Sequence, residues 1–356
     1  MYNERHLLCD PNARVVPAWY SVQTRAGSNW LAESARVAYV PDVTTSVAIS
    51  ALRTDSSSGS DFITNAAGNT LTGTSELGAS IVIQRGGTQI ATATANGSGN
   101  WTSSSFTLNG GLQNLDVTAT DAYANTATAT QSNVRLDTVA AVTGQSTNCV
   151  TGNAALVGNW CKNVTLTMTA TFSDAGSGLQ SGTPQYNDNG VGWLNYSIPV
   201  LLAEANGRFV QLRATDIAGN IGTSSATYYI DGTAPNLTVL QPTAGVSLSL
   251  AILGPLLNST CGGKAACGTS GDATSGLASV TSVKWQLIKG GSTCYGPSRT
   301  VSCTGYAFQD ASGTLPNWTT PLNSPNTILS SYVLTTQSTD VAGNVTTVTV
   351  SFSTVA

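Results

Sequence analysis

The hexapeptide TDIAGN at Thr215–Asn220 returns almost unchanged as TDVAGN at Thr339–Asn344, and more loosely as TDAYAN at Thr120–Asn125. With each Asp as origin, Asp121, Asp216 and Asp340 lie 95 and 124 residues apart. Recurrence at such intervals means one folding unit used repeatedly, and it limits every later reading of motifs as chemistry. A tryptophan precedes each Asp by 20 to 23 residues, as Trp101, Trp193 and Trp318, so the register belongs to the whole unit.

Apolar and polar residues alternate on both sides of each turn, as in RFVQLRATD and ATYYIDGTAP around the second copy and SYVLTTQSTD and VTTVTVSF around the third. Alternation over five to eight residues marks half-buried strands, and two such strands about a polar turn make a hairpin. In the turn, Asp216 is expected to accept backbone N–H bonds, Gly219 to take a positive φ and Asn220 to tolerate the left-handed region. Asp340, Gly343 and Asn344 repeat these roles. Asp121 and Asn125 do so around Ala124, which stands where the other copies have Gly and must be built differently or strained. Helix signals are nearly absent. The expected fold is all-β, a tandem of antiparallel immunoglobulin-like sandwiches.

Composition narrows the function. Only 9% of residues are charged, 14 basic and 18 acidic for a net charge of −4, and no Lys or Arg cluster occurs. A phosphate-tracking nucleic-acid surface is not expected. The longest apolar run, LSLAILGPLL at 248–257, is too short to span a bilayer. The opening MYNERHLLCDPN has no apolar stretch of signal length, and Leu before Cys9 does not suit lipidation. A catalytic site needs converging groups of tuned pKa, whereas this chain has one histidine and few glutamates, and its carboxylate motifs repeat. No enzymatic activity is expected.

Six of the seven cysteines form close sequence pairs: Cys149 and Cys161, Cys261 and Cys267, Cys294 and Cys303. Local disulfides in an oxidising compartment suit this spacing, with reduced buried thiols as the alternative and metal binding as a weaker third. The motifs DAGSGL at Asp174–Leu179 and DATSGL at Asp272–Leu277 are shared by the last two units. From there to the turn the third unit is longer, and its extra residues include Cys294 and Cys303.

DGTAP at Asp231–Pro235, TDIAGN, GNW at Gly99–Trp101 and LTGTSELGASIVI from Leu71 resemble the bacterial immunoglobulin-like repeats of large surface adhesins and biofilm-associated proteins. The resemblance runs from about Val43 to the C-terminus. It implies secreted stalk modules joined by short linkers, here LDTVAA and DGTAP, with modules at 46–138, 139–233 and 234–356. It also implies calcium at the junctions. Asp42 with Asp55 and Asp61 is the best-matched group, because TDSSSGSDFITN resembles the family's acidic opening loop; Asp137 and Asp231 are the linker equivalents. Residues 1–45 resemble the last two strands of a module whose front is missing. That segment is expected to be a piece of a longer protein, or else a half-module completed by strands of another chain.

The three register tryptophans are expected to fill one core position in each sandwich. Trp285, Tyr295 and Tyr306 lie outside that register and are the expected ligand or partner contacts. The overall expectation is an extracellular, cell-surface stalk or adhesin segment whose partners are other protein chains, through self-association or a surface receptor. A filament subunit assembled by strand exchange is the alternative. A glycan-binding module of a secreted protein is the third reading.

Overall fold

The computed structural model describes residues 42–56, 61–150, 159–295, 300–322 and 329–356, and the backbone of four short strands before them. Of these, Ala18–Tyr20 pairs antiparallel with Val37–Tyr39, and Arg25–Ala26 with Asn29–Trp30. The remainder of the expected half-module, Cys9 included, lies outside the described residues.

The chain divides into two compact units. The first comprises Met1–Ala141 and two loops from farther along, Ser173–Gln180 and Thr215–Ile221; the second holds Val142–Phe172, Ser181–Ala214 and Gly222–Ala356. This division cuts across the expected 139–233 module, because that module's two motif loops group with the first unit.

In the first unit, a five-stranded sheet runs in the order Thr88–Thr94, Ser80–Arg85, Gly111–Thr120, Thr126–Leu136 and Ile63–Thr64. A three-stranded sheet of Asn100–Thr102, Leu71–Ser75 and Val47–Leu52 accompanies it. Alternation decides which side chains go inward: Leu115, Val117 and Ala119 are fully buried, and Ile81 and Ile83 join them from the next strand. Burial of one such aliphatic side chain contributes about 1.5–3 kcal/mol.

The second unit contains two hydrophobic clusters. One, from Cys161 to Ile230, lies with a three-stranded sheet (Val142–Thr147, Thr165–Ser173, Val200–Ala203) and a five-stranded sheet (Trp160–Cys161, Ile221–Ile230, Ala205–Thr215, Gln185–Asp188, Trp193–Asn195). The other, from Leu237 to Phe352, is built on the long hairpin Ser330–Thr339 and Val345–Val355 and on Val283–Lys289 beside it.

The apolar run forms a helix, Leu250–Cys261, where strands alone were expected. Its buried residues are Leu253, Leu257 and Cys261, one every fourth position, which is helical rather than strand spacing. No helix among the described residues is long and apolar enough to cross a membrane. All three cysteine pairs are disulfides: Cys149–Cys161, Cys261–Cys267 at the helix end, and Cys294–Cys303 across the hairpin Thr293–Tyr295 and Thr300–Ser302.

Trp101 and Trp318 are buried, each directly opposite a glycine of the neighbouring strand, Gly73 and Gly268. The indole lies across the glycine: a Cβ on Gly73 would stand 2.3 Å from Trp101 Cζ2, and one on Gly268 2.7 Å from Trp318 Cζ2. Trp193 breaks this pattern. It is half-buried on an edge strand, and the corresponding core is filled by Leu166, Met168 and Leu202. The expectation of one shared core position therefore holds for two tryptophans; Trp193 lies on a strand of the other sheet, and the strand of the middle sandwich paired as theirs are is Val200–Ala203, whose Leu202 stands opposite Leu166.

Gly268→Ala forces its methyl group into both the Trp318 ring and the Thr238 carbonyl, 1.9 Å from the added carbon. A loss of about 2–3 kcal/mol is expected, the upper range of overpacking, read as a lower urea midpoint at unchanged slope.

Candidate metal centres

Each TDxxxN turn is closed by the same set of bonds. The Asn125 amide donates to Asp121 Oδ1 at 2.8 Å while its side-chain Nδ2 donates to Asp121 Oδ2 at 2.7 Å. Asn220 does the same to Asp216, at 2.8 and 2.8 Å, and Asn344 to Asp340, at 2.8 and 2.9 Å. Gly219 and Gly343 take φ of 92° and 89°; Ala124 takes 66°, so the first turn has the same construction with an L side chain in the left-handed region.

The asparagine also reaches outside its turn. Asn125 Nδ2 donates to the carbonyl of Asp42 at 3.1 Å, Asn220 Nδ2 to that of Asp137 at 2.9 Å, and Asn344 Nδ2 to that of Asp231 at 2.9 Å. The first two bonds each span 83 residues and the third 113. A turn asparagine thus holds the linker aspartate's backbone beside the turn aspartate's carboxylate, in all three copies.

A third acid completes each group. Asp42, Glu76 and Asp121 offer carboxylate oxygens within 4.8 Å of one another, as do Asp137, Asp174 and Asp216, and Asp231, Asp272 and Asp340. The turn and linker aspartates are buried in these groups, Asp42 excepted, with Asp216, Asp231 and Asp340 at 0% exposure. Asp174 and Asp272 are the first residues of DAGSGL and DATSGL. Their loops wrap the carboxylates with N–H groups: Gly178 N donates to Asp174 Oδ2 at 2.7 Å, and the amides of Thr274, Ser275 and Gly276 donate to Asp272 Oδ2 at 3.0, 2.8 and 2.8 Å. The linker carboxylates are held similarly, Asp137 by Val139 N and Ser177 N, and Asp231 by Thr233 N and Ser275 N. At Gly176 an added Cβ would lie 2.2 Å from Asp137 Oδ2, so the loop closes on the carboxylate through the missing side chain.

Asp55 and Asp61 do not join Asp42; Glu76 and Asp121 do. They accept instead from the local backbone, Asp55 Oδ2 from Phe62 N and Asp61 Oδ1 from Ile63 N, both at 3.0 Å. The grouping of Asp42, Asp55 and Asp61 is corrected on this ground; the turn aspartates do close their turns, and each also lies beside a linker acid. Glu76, Asp174 and Asp272 were missed. The signal available was the shared Asp of DAGSGL and DATSGL, which sequence reading had taken only as a register mark.

The groups differ in electrostatics. Burial works to raise the Asp121 pKa, but the bonds from Asn125 and Tyr123 outweigh it and the carboxyl lies below its ordinary value. Asp137 is also lowered: burial opposes, and the bonds from Val139 and Ser177 and the charge of Arg135 prevail. Arg135 additionally donates to the Gly176 carbonyl. In the third group Asp231 and Asp340 are both raised, first by burial and further by the charges of their carboxylate neighbours. Lys162 Nζ donates to the Gly343 carbonyl there, at 2.6 Å.

An all-oxygen donor set with three carboxylates suits a hard divalent cation of the calcium type and offers nothing to thiophilic metals. The Gly176 cradle and the clustering of like charges fit the same group.

The expected ligand contacts are corrected as well. Trp285 is fully buried, its Nε1 donating to the Asp310 carbonyl at 3.0 Å, and Tyr295 packs 6.1 Å from the Tyr332 ring as part of the same core. Tyr306 is half-buried and its carbonyl accepts from Gln286. Trp285 and Tyr295 thus belong to the third core, while Tyr306 lies in the loop before Gln309–Asp310.

Residues 59–135 match the family model of a bacterial Ig domain, and the fold is that of tandem Ig-like sandwiches. Comparison with curated protein sequences finds no match. Among solved structures, the chain is similar to a region of a 1.5-MDa bacterial ice-binding adhesin at 17% identity, covering 88% of this chain and 99% of that one, with a TM-score of 0.38. It is similar to a tetra-tandem repeat from the extending region of a large adhesion protein at 16% identity, with coverages of 93% and 79% and a TM-score of 0.32. A Clostridium thermocellum structure of fibronectin(III)-like modules gives 13% identity, coverages of 46% and 85%, and a TM-score of 0.26.

Replacing Ala124 by Gly removes a left-handed strain of about 1–2 kcal/mol and returns part of it as unfolded-state entropy. A net gain of about 0.5–1 kcal/mol in urea unfolding is expected.

The third group predicts a pH trend in chelator. A carboxyl whose folded-state pKa is raised contributes stability that is full below its ordinary value of 3.8 and lost as pH rises through the folded value. Protection of the Ser275 and Asn344 amides in hydrogen exchange, corrected for intrinsic rate, should rise as pH falls from 7 toward 4. Protection of the Tyr123 and Ser177 amides should not, because Asp121 and Asp137 are lowered and lose their contribution as pH falls.

Proposed function

We propose that this chain is a non-catalytic structural segment of a bacterial cell-surface adhesin or stalk, in which calcium pins the start of each module to that module's own loops. The observation that supports it most is the threefold recurrence of one arrangement: a linker acid, a loop acid, a turn acid and a turn asparagine gripping the linker carbonyl. Three disulfides accord with an oxidising, extracellular setting. The bacterial Ig domain at 59–135 accords with a repeat whose partners are other protein chains.

Asp42, Glu76 and Asp121 would hold the first ion, Asp137, Asp174 and Asp216 the second, and Asp231, Asp272 and Asp340 the third. A divalent cation supplies charge neutralisation and multidentate oxygen binding at such a site. The chain's own residues do the rest. The asparagine bracket positions the linker carboxylate before any ion arrives, and the loop amides orient the third acid. With its ends pinned, a module entered through Asp137 or Asp231 loses freedom at the linker, which is what a load-bearing spacer needs.

Calcium should stabilise the full chain. For dissociation constants of about 10⁻⁴–10⁻³ M, usual in extracellular modules, 10 mM ion contributes about 1.4–2.7 kcal/mol per site. Differential scanning calorimetry should show melting raised by several degrees with calcium and much less with magnesium. Asp216→Asn should remove one site from the calcium stoichiometry in isothermal titration. An unchanged thermogram in calcium would sink the proposal.

A further inference from the structure

We propose that the solvent face of the five-stranded sheet around Trp193 and Arg213 binds an acidic polysaccharide. Trp193 is not part of the core: it is half-buried on the edge strand Trp193–Asn195, while the core of this sandwich is closed by Leu166, Met168 and Leu202 at 0% exposure. Backbone alternation shows what shares its face. In Ala205–Thr215 the residues Val210, Leu212 and Ala214 are buried, so Phe209, Gln211 and Arg213 point to the other side. Pairing then puts Gln185 beside Arg213, and Asn187, itself buried with its Oδ1 accepting from Gly192 N, between Gln211 and Trp193, so that the amides open to a ligand are those of Gln185 and Gln211. Phe209 lies on the same face, 41% exposed.

The polar groups of this face are already held in place. Arg213 Cζ stands 4.2 Å from the Trp193 ring centroid, and its Nε donates to Gln185 Oε1 at 2.8 Å. Gln185 Nε2 donates to Asn195 Oδ1 at 3.0 Å, and Asn187 Nδ2 to Gln211 Oε1 at 3.4 Å. A guanidinium fixed by stacking and by a neutral amide keeps its terminal N–H groups for a ligand and loses little freedom on binding.

Charge selects the ligand. Among the described residues Arg213 takes part in no ion pair, whereas the nearby Arg208 is matched by Asp188. An unneutralised guanidinium on a chain of net charge −4 calls for an anion. One cation is too few for a phosphate-tracking surface. Indole and phenyl faces accept the C–H face of a sugar ring, side-chain amides bond its hydroxyls, and the guanidinium matches a carboxylate. A polymer that offers all three is a uronic-acid polysaccharide. Two strand spacings and one alternate-residue step put Phe209 about 12 Å from Trp193, enough to engage successive sugars of an extended chain.

The test is affinity electrophoresis of the full chain through gels containing polygalacturonate, dextran or dextran sulfate, in chelator so that calcium bridging contributes nothing. Retardation by polygalacturonate, weakened by salt and reduced about tenfold in Trp193→Ala and in Arg213→Gln, is the expected result. Arg213→Lys should retain part of it. Unaltered disulfide content and melting show that a variant is folded; should Trp193→Ala misfold, Trp193→Phe and the two Arg213 variants carry the test. Absence of retardation, equal retardation by neutral dextran or by dextran sulfate, or retention of binding in folded Arg213→Gln would overturn the proposal. Because calcium is withheld, failure here leaves the calcium reading intact, and failure of that reading leaves this one intact.

Discussion

Three carboxylates brought within a few ångströms of one another repel, and the architecture depends on how that repulsion is offset. The apo chain uses N–H groups: turn asparagines, loop amides and linker amides all donate into the acid groups. Hydrogen bonds to a charged acceptor are about twice as strong as neutral ones. They suffice to hold Asp121 and Asp137 below their ordinary pKa, and they fall short at Asp231 and Asp340. The third group is therefore the one in which the carboxylate charges are least offset by the chain itself. The asparagine has a second use, because its bond to the linker carbonyl ties a residue 83 or 113 positions away to the turn.

The repeated frame tolerates exchange in its cores. Two sandwiches use an indole laid over a glycine of the neighbouring strand, a close approach that only Gly permits. The middle one pairs Leu166 with Leu202 at that place, with Met168 beside them, and its Trp193 lies on an edge strand of the other sheet. Substitution of one packing solution for another leaves the acid groups unchanged, since these sit at strand ends and loops.

Much of this was legible in the chain. Alternation around the turns identified the long hairpins, and cysteine spacing identified the three disulfide pairs. The helix was not, because Leu253, Leu257 and Cys261 carry its only periodic signal within a run that also contains Gly254 and Pro255. Trp285 was misplaced because an aromatic outside a repeat register looks idle until the size of its core is known. Asp55 and Asp61 were grouped with Asp42 on the resemblance of TDSSSGSDFITN to an acidic opening loop, whereas Glu76 and Asp121 reach Asp42 only through the fold.

What the sequence by itself determined is the repeat, its strand pattern and its covalent staples, all of which follow from local periodicity and short separations. The tertiary structure alone decided which acids meet. Antiparallel strands return the chain to the same end of a sandwich after tens of residues, so Asp121 arrives at Asp42, and Asp216 at Asp137, by a route that no local spacing records. The same holds for Trp193: its distance from the turn matches that of Trp101 and Trp318, but loop lengths place it on an edge strand of the other sheet, which sequence spacing does not record.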